Sequence, residues 1–237
     1  MFSLFKFDAR RTFRPLRGHQ GPGALRLHAL SLAQLEAGDM EAAAALPPGV
    51  ALNDWLAAHV VDFHNAAALI FGIACDGCSA ASCPSMNAGP RFEFLWSASG
   101  GGAPARLPAR DYVDRLFSWI GALLDDPAVF PASSSTAAPA AYPRDFLETV
   151  RAITRRLFRV YAHVYYHHFG AMTEAGAEAH INTCLSHLVV FSAAHALIDA
   201  KELAPLQELI DRLAAARAAT AAAAVASGAG VGVSAPH

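Results

Sequence analysis

Along the chain apolar side chains recur at three- and four-residue steps, and the two-residue alternation of strands is scarce. LNDWLAAHVVDFHNAAALIFGIAC places Leu52, Trp55, Leu56, Val60, Phe63, Ala67 and Ile70 on one such stripe, and Asn53 and Asp54 suit its first turn. RDYVDRLFSWIGALLDD repeats the pattern with Tyr112, Leu116, Trp119, Ile120 and Leu123. YPRDFLETVRAITRRLFRVYAHVYYHHF sustains it further, and AEAHINTCLSHLVVFSAAHALI and ELAPLQELIDRL supply two more helices. SCPSMNAGPRFEFLWSASGGGAPARLPA and FPASSSTAAPAAYP read as loops by their Gly, Pro and Ser content, with FEFLW as a short hairpin strand. These elements predict an all-α bundle with long connections.

Composition changes that picture little. The chain of 237 residues is 54% hydrophobic and 16% charged, enough for a substantial core in one domain. A net charge of −2 excludes a globally basic nucleic-acid binder, so any binding charge has to be clustered. Much of the apolar content is alanine, and no stretch reads as a membrane span. The Ala- and Gly-rich segment 214–237 reads as a disordered tail. The Arg-bearing N-terminal segment lacks the Ser-rich amphipathic run of a transit peptide. Four irregularly spaced cysteines without a secretory signal predict an intracellular protein with metal or thiol chemistry.

Two ligand pairs limit the chemistry. Cys78 and Cys83 are spaced Cys-x4-Cys, and His163 and His168 are spaced His-x4-His, both within the ranges of structural zinc sites. Eighty positions separate the pairs, so a shared ion would staple distant parts of one fold. Helix geometry leaves the second histidine open. At about 100° per residue His163 and His168 diverge by about 140°, whereas His163 and His167 stack. An unwinding before Gly170 would free His168 to turn toward the ion.

The long helix also carries Arg151, Arg155 and Arg159 on one face, with Arg156 beside them and acids nearby only at Asp145 and Glu148. A solvated face is the plain reading of such a cluster. Capture of a phosphate on a peptide is the sharper one, because guanidinium groups bind it bidentately.

The blocks LNDWLAAHVVDFHN, CSAASCPSMNAGPRFEFLW, RRLFRVYAHVYYHHF, EAHINTCLSHLVVF and LIDAKELAPLQELIDRL, in this order and spacing, resemble the Mob/phocein family of kinase-binding proteins. TFRP at Thr12 to Pro15 extends the resemblance. It implies a helical globule around a four-helix bundle over residues 41–213, preceded by a regulatory N-terminal arm over 1–40. It implies structural zinc on Cys78, Cys83, His163 and His168, and so favours His168 over His167. With four protein ligands no position is left to activate water, which disfavours the alternative of a zinc hydrolase. No phosphate loop or GxSxG motif suggests another catalytic site.

By the same resemblance Arg155, Arg156 and Arg159 would bind phosphothreonine in an upstream Ste20-type kinase or scaffold. Asp54 and Asp62 would face an NDR/LATS-type kinase, with Val50 standing where that surface has a third acid. Thr12 matches one regulatory phosphosite; Gln34 occupies the other, with Ser31 nearby. The expected role is a non-enzymatic adaptor in growth or cytokinesis signalling of the Hippo or mitotic-exit type, cytoplasmic and also nuclear. The alternative within the family is a phocein-like or inhibitory scaffold with different partners.

Overall fold

The computed structural model describes residues 39–97, 103–131 and 141–226. Its helices are α1 (Met40–Ala44), α2 (Leu52–Ala74), α3 (Ala109–Leu124), α4 (Phe146–His167), α5 (Phe169–Glu174), α6 (Glu178–Ala194), α7 (Ala200–Leu203) and α8 (Gln207–Ala226). Packing divides the chain at Pro205, with α8 in the second unit.

In the first unit α2 and α4 form the most extensive helix pair, with α3 and α6 each packed against both, so four helices enclose the core. Their position follows from their sequences. Helix α2 is apolar nearly all round, and Trp55, Leu56, Val60, Phe63, Ala67 and Ile70 are buried as the periodicity predicts. It is the one described helix long and apolar enough to cross a membrane, but 67% of that window is buried inside the globule. Leu52, on the predicted stripe, is instead exposed, because it opens the first turn of the helix. In α4 the face of Ile153, Leu157, Val160, Tyr161 and Val164, set at helical spacing, is fully buried, and the opposite face carries the arginines.

Chain breaks are set by local chemistry. Asp39 caps α1 by accepting from the Ala42 amide at 2.8 Å. Helix α5 ends in a Schellman turn: Gly176, at φ +65°, donates to the Thr173 carbonyl, and Ala177 donates to Met172. The same turn closes α6 with a non-glycine, Ala196 at φ 51°.

Two expectations from composition differ from the structure. FEFLW forms no strand among the described residues; it makes two isolated antiparallel bridges, Asn87 with Glu93 and Trp96 with Ala105. Ala214 to Ala226, expected to be disordered, continues α8, because alanine is the best helix former and nothing in this run breaks a helix. Residues 227–237 lie outside the described residues, as do Thr12, the TFRP segment, Ser31 and Gln34.

Candidate metal centre and arginine pocket

The loop after α2 and the end of α4 bring the two ligand pairs together. Cys78, Cys83, His163 and His168 are all buried, and one ligand atom from each lies within 4.8 Å of the others. Serines brace the cysteine loop. The Ser79 amide donates to Ser82 Oγ at 2.9 Å, the Ser82 amide donates to Ser79 Oγ at 3.1 Å, and Ser82 Oγ donates to the Gly77 carbonyl at 2.7 Å. The Cys83 carbonyl accepts from Ala109, which ties the loop to the start of α3.

The spacing of the donors fits a tetrahedral ion. Cys78 Sγ lies 3.5 Å from His163 Nε2, and Cys83 Sγ lies 3.4 Å from His168 Nε2. Bonds of about 2.3 Å to sulfur and about 2.05 Å to nitrogen at a tetrahedral angle would place such pairs about 3.6 Å apart. His163 Nδ1–H donates to the Asn87 carbonyl at 2.8 Å, which leaves Nε2 as the free donor. Burial pulls the His163 pKa down to about 4 and pushes the Cys78 thiol up to about 12, with Cys83 adding to the latter. The four residues can therefore hold a metal ion as a closed set, and metal binding must displace thiol protons.

Helix geometry alone could not choose between His167 and His168. Helix α4 ends at His167, and His168 leaves it at φ −131°, so its ring turns toward Cys83. His167 Nε2 instead meets Asn87 Oδ1 at 2.6 Å. The break falls at His168 itself; Gly170, expected to end the helix, lies inside α5. Cys75 donates to the Gly72 carbonyl and Cys184 pairs with His180, so neither joins the cluster.

Two turns before the histidines, Arg155, Arg156 and Arg159 line a cavity of about 420 Å³. Its other wall is Glu93, Phe94, Leu95 and Ser97. Arg156 is held between Trp96 and Trp119, 4.7 and 4.5 Å from their ring centres, and donates to the Ser97 carbonyl at 2.8 Å. Arg159 lies over Phe94, donates to Tyr112 Oη at 3.2 Å and pairs with Glu202 at 3.1 Å. Arg155 makes no ion pair among the described residues. Arg156 Nη1 and Arg159 Nε are buried without a partner among the described residues, an arrangement that favours an anion. Arg151 does not join the pocket; it donates to Glu148 and to the Ala196 carbonyl.

The aromatic wall and Glu202 escaped sequence reasoning, because they come from distant segments. The only hint was the alternation of aromatics in FEFLW. Asp54 and Asp62 both lie on α2, eight positions or about 12 Å apart along the axis. Asp54 accepts from Tyr142 Oη at 2.8 Å.

A four-helix globule whose Cys₂His₂ set can hold a metal ion, with a cationic pocket on the same helix, has the features of a binding protein. The chain belongs to the Mob1/phocein family, whose profile matches residues 32–206 and whose members are non-catalytic regulators. It is 45% identical to the human (Homo sapiens) protein MOB kinase activator 3A over 211 residues, covering 87% of this chain and 95% of that one. It is 39% identical to the Dictyostelium discoideum protein MOB kinase activator-like 1 homolog B over 216 residues, 90% and 98% of the respective chains. MOB kinase activator 3C of Mus musculus is 41% identical over 211 residues, with shares of 87% and 95%.

Proposed function

We propose that this chain is a zinc-stabilised adaptor that docks on an NDR/LATS-type kinase and couples it to a phosphothreonine-bearing upstream partner, a Ste20-type kinase or scaffold. The observation that carries this reading is the arginine pocket, where two buried guanidinium N–H groups lack a partner among the described residues, beside Arg155, which makes no ion pair among them. A phosphate dianion supplies acceptors for both and, together with the Glu202 carboxylate already paired with Arg159, balances the three positive charges.

The kinase half of the reading rests on the relatives' names as kinase activators and on the acids of α2. Asp54 and Asp62 would meet a basic kinase segment, and Thr12, once phosphorylated, would shift the N-terminal arm to open that surface. Zinc suits the ligand set because two thiolates and two imidazoles in a tetrahedron are its usual structural environment. Cytoplasm and nucleus are the compartments in which such a complex would act.

The test is calorimetric titration of the zinc-loaded protein with a phosphothreonine peptide and its unphosphorylated twin. The phosphorylated form is expected to bind at least about a hundredfold more tightly, since charge-assisted bonds contribute about 1.5–3 kcal/mol each. Equal affinity for the twins would overturn the phosphopeptide half. Unchanged binding of a basic NDR/LATS N-terminal peptide after Asp54→Arg with Asp62→Arg would overturn the kinase half.

A further inference from the structure

The backbone of Glu93 to Ser97 has one edge in use and one edge open. Phe92, Phe94 and Trp96 share the used edge. Phe92 accepts from the Ala88 amide at 2.8 Å, Phe94 donates to Met86 at 2.7 Å, and Trp96 exchanges bonds with Ala105 at 2.8 and 2.7 Å. In extended chain the N–H and C=O of one residue point to one edge, and successive residues alternate. Glu93, Leu95 and Ser97 therefore share the other edge. Its direction is fixed by the Ser97 carbonyl, which accepts Arg156 Nη2 from α4. The backbone N–H and C=O of Glu93 and Leu95 make no hydrogen bond among the described residues. Glu93 and Leu95 line the same cavity as the three arginines, and Leu95 is 42% exposed.

We propose that the phosphothreonine segment binds as an added strand on this edge. Its backbone exchanges two hydrogen bonds with the Leu95 N–H and C=O, while its phosphate sits on Arg155, Arg156 and Arg159. The inference rests on the phosphopeptide reading above and goes further by assigning the peptide's conformation and recognition mode. Charge complementarity selects the occupant: an unmodified strand would leave the buried Arg156 Nη1 and Arg159 Nε without acceptors. Side chains of paired residues lie on the same face of the sheet, so the residue opposite Leu95 is apolar and the one two positions away, opposite Glu93, is basic. Glu93, already paired with Arg106 at 2.6 Å, would exchange that exposed partner for the peptide's cation.

The experiment takes the tightest phosphothreonine peptide from an oriented library and methylates its backbone nitrogens one at a time. Loss of about three- to tenfold in affinity at the position opposite Leu95, with little effect at its immediate neighbours, is the expected pattern. In the protein, Leu95→Pro removes the N–H that the fold does not use. It should weaken the peptide by a similar factor, leave binding of free O-phosphothreonine unchanged, and be separated from side-chain loss by Leu95→Ala. Retained metal content and an unchanged circular dichroism spectrum would show that Leu95→Pro folds, and the methylation series stands without it. Strong discrimination between phosphorylated and unphosphorylated twins with a flat methylation profile would overturn the strand while leaving the phosphopeptide reading intact. Equal binding of the twins would overturn both.

Discussion

The same two elements, helix α4 and the loop that follows α2, build two sites of opposite character. At the metal end, Cys78, Cys83, His163 and His168 face one another, and His163 has its outer nitrogen bonded to Asn87. In the arginine pocket, cations from α4 face a wall from later in the same loop, and two buried N–H groups have no acceptor among the described residues. The first arrangement would be complete once an ion is bound, and would then act on the fold. The second offers unused donors to a ligand from outside, which is the recognition role proposed for it. On the proposed reading, closure and incompleteness on one scaffold separate the part that would stabilise the fold from the part that would bind a partner.

The largest expected effect breaks the closed end. Chelation, or Cys83→Ser, should remove at least about 4 kcal/mol, the linkage expected when metal exceeds its Kd a thousandfold. That corresponds to a Tm fall of about 8–16 °C for a chain of this size, readable by thermal unfolding with and without chelator. An unchanged Tm would mean the ligand set does not support the fold.

Next comes the open end. Arg155→Ala should weaken a phosphothreonine peptide by about 1.5–3 kcal/mol, with Tm within about 1 °C of the parent, because Arg155 makes no ion pair among the described residues. A large stability loss would move Arg155 into the structural half of the comparison.

A third variant probes the join between them. Gly89 has φ +73°, and a Cβ there would overlap the Tyr166 ring on α4. Gly89→Ala should cost about 2 kcal/mol, of which the part due to the ring is recovered by adding Tyr166→Ala and the part due to φ is not. Denaturant unfolding of the single and double variants separates the two.

The smallest effect is a control remote from both sites. Ala196 occupies the left-handed position that closes α6, so Ala196→Gly should stabilise by about 1 kcal/mol without altering metal or peptide binding.

The core of α4 was legible in the sequence because five apolar residues at helical spacing leave only one face to bury. Three of the four metal ligands were legible by spacing, but the fourth needed the resemblance. No breaker precedes His168; the helix stops there in a conformation that its sequence does not announce, and Gly170 was the more obvious punctuation. The arginines were visible at i, i+1 and i+4, yet the pocket was not. Trp96, Trp119 and Glu202 reach it from 60, 37 and 43 to 46 residues away, distances over which periodicity carries no information. In the C-terminal alanine run, compositional monotony suggested disorder where intrinsic propensity makes helix.

The most direct measurement is phosphorus NMR of a phosphothreonine peptide titrated with the zinc-loaded protein and with its Arg155→Ala, Arg156→Ala, Arg159→Ala triple variant. The account predicts a phosphate resonance that moves with the parent protein and stays at its free position with the variant. A resonance that moves equally with both, or with neither, would contradict the claim that this pocket is built for a phosphate.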